Sequence, residues 1–136
     1  MRAIPSKPVE ELVPDPKREG SVRVMVGGRA VLIVPEEAVR QEGLAVGMRL
    51  EAEQVERLEA ASDRAAAYRT ALQCLERRPF GKRDLARRLT LKGHDPAAVV
   101  DAVNRAEAAG LLDDEKFARF YVRSRGARGR GPARLR

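Results

Sequence analysis

Arg77, Arg78, Lys82, Arg83, Arg87, Arg88 and Lys92 put seven cations into sixteen residues, and Arg119, Arg123, Arg125, Arg128, Arg130 and Arg134 continue the pattern toward the C-terminus. Guanidinium and ammonium groups have no proton to trade at neutral pH, so their chemistry is electrostatic. They donate hydrogen bonds to phosphate or carboxylate oxygens and displace counterions. Residues 76–136 carry 16 basic and 8 acidic side chains against 11 and 12 in residues 1–75, so the net charge of +7 originates entirely in the second half. Such a face attracts polyanions over a Debye length of about 8–10 Å, which makes nucleic acid or a nucleoprotein surface the expected partner. The competing reading is a solvated helical surface rich in arginine.

Other residues able to do chemistry are few. Cys74 and His94 are single, which is too little for a standard zinc site, and no base stands near Cys74 in sequence to activate it. On a helical wheel Cys74 lies at the flank of an apolar face and reads as a packed thiol. Asp113 and Asp114 sit where a helix begins, and capping explains them better than metal binding. Gly27-Gly28 and "GARGRG" lack the strand, helix and Lys-Ser/Thr context of a phosphate loop. No catalytic, cofactor or metal site is expected.

The elements that must hold these residues come from a chain of 136 residues with 4% aromatics and no tryptophan, so its core is built from Ala, Val and Leu. One cysteine permits no internal disulfide. No segment reaches the ~20 apolar residues of a membrane span, and the first twenty residues lack a signal-peptide core, which points to a cytoplasmic protein without a membrane partner. Residues 1–20, with four prolines, read as a flexible arm. Residues 21–61 read as a small α+β unit. In it "SVRVMVGGRAVLIVP" forms a hairpin about Gly27-Gly28, "PEEAVRQEG" a short helix ending at Gly43, and Leu44, Val46, Met48 and Leu50 gather around Gly47. Val55 and Leu58 belong to a last acidic helix.

Residues 62–110 read as three short helices. The first is capped by Asp63, stopped before Pro79, and turns Ala65, Tyr68, Leu72 and Leu75 inward, with Leu72 at the centre of the face. The second has Leu85, Ala86 and Leu89 inward with Arg83 and Arg87 outward. The third opens at Asp95-Pro96, stacks Val99, Ala102, Val103 and Ala106, and ends at Gly110. Residues 111–136 begin a fourth helix at Asp113 with Phe117, Phe120 and Tyr121 inward, followed by a basic tail. The fold class is thus mainly α, behind a small N-terminal β-hairpin.

"ALQCLERRPFGKRDLARRL", "GLLDDEKFARFYVRSR" and "GRGPARLR" are similar in order and spacing to the RecX family of bacterial regulators of the RecA recombinase. The resemblance covers residues 65–136. It implies a protein of tandem three-helix repeats that binds RecA and its filament on single-stranded DNA and restrains recombination, ATPase and co-protease activity. The first repeat would be 65–109, and 114 onward would begin a second that stops unfinished at Arg136. The thirteen cations named first would then form the surface for RecA and DNA, with direct contact to single-stranded DNA and pairing of two chains through the fourth helix as further expectations. One departure is local: Gly81 stands where the family tends to have a hydroxyl ahead of Asp84, so no capping box forms there. The alternative is a free-standing helical nucleic-acid binder. The helix from Lys82 offers mostly arginine, which suits phosphate better than base edges.

Overall fold

The computed structural model describes residues 7–112. Expectations about the fourth helix, its aromatic stripe and the basic tail lie outside the described residues. The elements run β1 (Glu11–Pro14), β2 (Ser21–Val26), β3 (Arg29–Pro35), α1 (Glu36–Gln41), α2 (Ala52–Arg77), α3 (Lys82–Leu91) and α4 (Pro96–Ala108). Contacts divide the chain into two compact units, 1–65 and 66–136, with the boundary inside α2.

The first unit is built on an antiparallel meander in the order β1-β2-β3. The hairpin forms where the glycine pair requires it: φ is +62° at Gly27 and +77° at Gly28, the two positive angles of a type I′ turn. Val24 pairs with Leu32 and Val22 with Val34; Val24 and Val26 share the buried face by alternation, and a register shift between Val24 and Met25 leaves Val31 of β3 as the extra residue. The Gly28 amide donates to Glu10 Oε1 at 2.9 Å, tying the turn to the strand before it. Pro35 leads straight into α1. Leu44, Leu58 and Ala61 complete the core with Val9, Val24, Val26, Leu32, Val34 and Ala38. Of the residues around Gly47, Leu44 is buried and Val46 is exposed.

The expectation of a flexible arm over residues 1–20 is corrected for the described residues from Lys7 onward, and residues 1–6 lie outside the described residues. Glu11–Pro14 forms an edge strand on β2, with Leu12 opposite Val24. Val9 is buried, accepts from the Gly47 amide and donates to the Met48 carbonyl, both at 2.8 Å. Four residues are too few to show alternation, and proline is tolerated at the end of an edge strand, where its missing N–H breaks no ladder. Asp15 then makes the turn. Its carboxylate accepts from the Lys17 amide at 2.9 Å and from Arg18 at 3.4 Å, with Arg23 at 3.8 Å, and its side chain is buried. The Lys17 hydrogen bond foremost, then both arginines, hold this carboxyl below its ordinary value against the opposing effect of burial.

A second correction concerns Asp63. It caps nothing: α2 is continuous from Ala52 to Arg77, and Asp63 is an exposed residue within it, so the 61/62 position falls inside a helix. Ser-Asp is a cap signal only where the flanking residues are poor helix formers, and here glutamates, alanines and arginines lie on both sides. The helix start is tied down in the first unit. Arg57 meets Glu42, the residue after α1, through Nε at 2.7 Å and through its second guanidinium nitrogen at 2.8 Å. That bidentate bond lowers the Glu42 carboxyl and raises Arg57.

The second unit packs the end of α2 with α3 and α4. Its core is Ala67, Ala71, Cys74, Phe80, Leu85, Leu89, Ala98, Val99, Ala102, Val103 and Ala106. The buried positions of α3 and α4 coincide with those expected. Gly81 stands at the start of α3 without any side-chain cap, and Asp95 accepts from the Ala97 and Ala98 amides at the start of α4. The face of α2 is corrected. Leu72 is 36% exposed, while Ala67, Ala71 and Cys74 are covered, with Tyr68 and Leu75 half-buried at the sides. The stripe i, i+4, i+7 therefore runs along the smallest side chains, and Leu72 lies one 100° step off it.

Candidate nucleic-acid interface

Among the described residues, most of the cations of the second unit sit around one bend, where α2 ends, the chain passes through Pro79 and Phe80, and α3 begins. Arg77 closes α2, where a positive charge complements the helix dipole. Phe80 is buried and anchors the bend. Once Leu85 and Leu89 turn inward, Arg83, Arg87 and Arg88 are left on the exposed side of α3, and Lys92 follows as its C-terminal cap.

The structure separates these cations by what they touch. Arg78 is half-buried and fixed three ways: it donates to Asp84 at 2.8 Å and to the Pro79 carbonyl at 3.0 Å, and its guanidinium lies 3.7 Å over the Phe80 ring. With Gly81 at the N-cap no hydroxyl is there to form a capping box, and Asp84 gives its carboxylate to Arg78. Lys82 pairs with Glu107 of α4 at 3.0 Å. These two expected site residues are thus engaged within the fold. Arg83 and Arg87 form one exposed i, i+4 row along α3, and Arg88 and Lys92 form another.

Only the second row is joined by the end of α2. Arg77, Arg78, Arg88 and Lys92 line a concave pocket of about 240 Å³, into which no acidic side chain projects. Its remaining lining is Thr70, Gln73, Cys74 and Phe80. The Thr70 hydroxyl donates to the Ala66 carbonyl at 3.1 Å, so His94 Nε2, 2.9 Å away, is the donor to Thr70 Oγ1. That bond ties the α3–α4 turn to the pocket wall. Thr70, Gln73 and Phe80 were not among the residues expected at the site. Their signal was present, because Thr70, Gln73, Cys74 and Arg77 stand at i, i+3, i+4 and i+7 of one helix. Arg119, Arg123, Arg125, Arg128, Arg130 and Arg134 lie outside the described residues.

Among the described residues, no three of His, Cys, Asp and Glu come together as metal ligands, and no helix is long and apolar enough to cross a membrane. Chemically, the arrangement can bind an anion in a shaped recess backed by apolar atoms.

No family model matches the chain. Among curated proteins it is 42% identical over 77 residues to the regulatory protein RecX of Halorhodospira halophila, covering 57% of this chain and 48% of that one. To the regulatory protein RecX of Pseudomonas fluorescens it is 37% identical over 71 residues, 52% of this chain and 46% of the other. The resemblance to RecX is shown. The chain spans about half the length of the curated RecX proteins it matches. A crystal structure of regulatory protein RecX shares its fold, with a TM-score of 0.67 over 95% of this chain and 70% of that one at 20% identity.

Proposed function

We propose that this chain is a regulator of the RecA recombinase, working in the cytoplasm, where it binds the RecA filament on single-stranded DNA and inhibits recombinase, ATPase and co-protease activity in DNA repair. The 42% identity to a regulatory protein RecX carries this reading. The cationic bend of the second unit supports it, since a filament on DNA offers phosphates and acidic side chains to such a surface. Free-standing base readout is disfavoured by α3 itself. Its exposed positions hold Lys82, Arg83, Arg87, Arg88, Thr90 and Leu91, with no Asn or Gln to read adenine, and arginines beside lysines serve phosphate first.

The test is to titrate RecA's DNA-dependent ATP hydrolysis with the whole chain. Inhibition that saturates with the chain's concentration is expected. Hydrolysis unchanged at a large excess, with the chain folded, overturns the proposal.

A further inference from the structure

The cations of the second unit do not form one uniform field, and the pocket sets a subset of them apart. Arg77, Arg88 and Lys92 are exposed, border the pocket, and have no carboxylate partner among the described residues. Arg78 beside them is charge-compensated by Asp84 and lies 3.7 Å over the Phe80 ring, so it contributes a braced guanidinium more than a net charge. Thr70 and Gln73 add a hydroxyl and an amide.

We propose that this pocket seats one nucleotide of a single strand, with its phosphate on Arg77, Arg88 and Lys92 and its base against the Arg78 guanidinium that Phe80 supports. The size fits. A recess of about 240 Å³ is on the scale of one unstacked base or phosphate unit. The chemistry fits as well. Unpaired bases are held by stacking on aromatic rings or arginine planes, with the backbone tracked by cations. An acidic peptide would use the three free cations but would leave the Arg78–Phe80 wall and the Gln73 amide without a purpose. This proposal deepens the RecA reading, because a filament carries the single strand that the pocket would engage, yet it requires direct contact with nucleic acid.

Cys74 supplies a local reporter. It is the chain's only thiol and lines the pocket although only 7% exposed, so its slow alkylation by N-ethylmaleimide in the unliganded chain is the baseline against which occupancy is read. The experiment adds a short oligothymidylate to the full chain without RecA and measures both affinity and the alkylation rate. Protection of Cys74 is expected. With Arg88→Glu and Lys92→Glu together, affinity should fall at least about tenfold, and the slope of log affinity against log salt should shrink by about 0.7 for each phosphate that is no longer neutralised. Arg83→Glu with Arg87→Glu changes the net charge equally and should cost under about threefold. Gln73→Trp fills the pocket without altering charge and should weaken oligothymidylate affinity by at least about threefold.

Equal losses in the two double variants overturn the pocket in favour of a diffuse field. So does equal protection of Cys74 by polyglutamate, which would mark a protein-facing anion site, and so does absence of protection by the oligonucleotide. RecA inhibition measured in parallel separates the two proposals. Inhibition without Cys74 protection sinks the nucleotide seat alone, while protection without inhibition sinks the regulatory reading alone.

Discussion

Replacing one leucine in α3 and one in α2 tests the packing of the second unit. Leu89 is completely covered, whereas Leu72 is 36% exposed. Truncating a fully buried leucine removes its transfer free energy and leaves a cavity, together about 2–5 kcal/mol. Leu72→Ala leaves no enclosed cavity and introduces the best helix former, so its cost should stay below about 1 kcal/mol. A unit of about seventy residues holds roughly 3–10 kcal/mol in total, and 1 kcal/mol moves the midpoint of a domain this small by about 4–8 °C. Leu89→Ala should therefore lower Tm by about 10 °C or more, and Leu72→Ala by less than about 8 °C. The probe is favourable. There is no tryptophan, and Tyr68, the tyrosine among the described residues, packs against the core of the second unit, so the Tyr68 signal follows that unit's melting. A larger loss from Leu72→Ala than from Leu89→Ala would refute the assignment of the α2 face.

Asp95→Ala removes the oxygen that accepts from the Ala97 and Ala98 amides at 3.1 and 3.4 Å, and should cost about 0.5–2 kcal/mol in the same melting assay. Asp15 predicts a pH dependence confined to the first unit. Its carboxyl is held below its ordinary value in the folded chain, so the stabilisation is complete above the unfolded value of ~3.9 and is lost as pH falls toward the folded one. Urea unfolding followed by circular dichroism should show a smaller loss of stability on acidification from about pH 5 to about pH 3 in Asp15→Asn than in the parent. Glu42, lowered by Arg57, contributes with the same sign.

Much of the fold was legible because its signals are local. The glycine pair of the hairpin, the glycines after α1, α3 and α4, and the Asp95-Pro96 start of α4 each demand one backbone conformation, and each is found there. Leu85 and Leu89, and the apolar row of α4, are buried because the second and third helices are short and strongly two-sided. The misreadings share a different cause. β1 exists only because β2 offers it a free edge and because Val9 finds a place against the loop at Met48, neither of which four residues between prolines can announce. On α2, large apolar residues suggested the inward face, whereas coverage follows Ala67, Ala71 and Cys74, where small side chains fill what their neighbours leave open.

At the site, sequence could name the cations but could not rank them, because every arginine looks alike until its neighbours are known. The decisive partners are remote or unpromising in sequence. Glu107 lies on another helix from Lys82, and Phe80 is one aromatic in a chain that has few. The departure at Gly81 gains a physical meaning from the same interactions. With no hydroxyl to cap α3, Asp84 is free to bind Arg78, and Arg78 bound by Asp84 is held against Phe80 beside the pocket. A sharper helix start would compete for that carboxylate and loosen the wall. The same trade explains why the expected cationic surface divides: among the described residues, Arg78 and Lys82 meet an acid and brace the bend, whereas Arg83 and Arg87 on one row and Arg77, Arg88 and Lys92 around the pocket meet none.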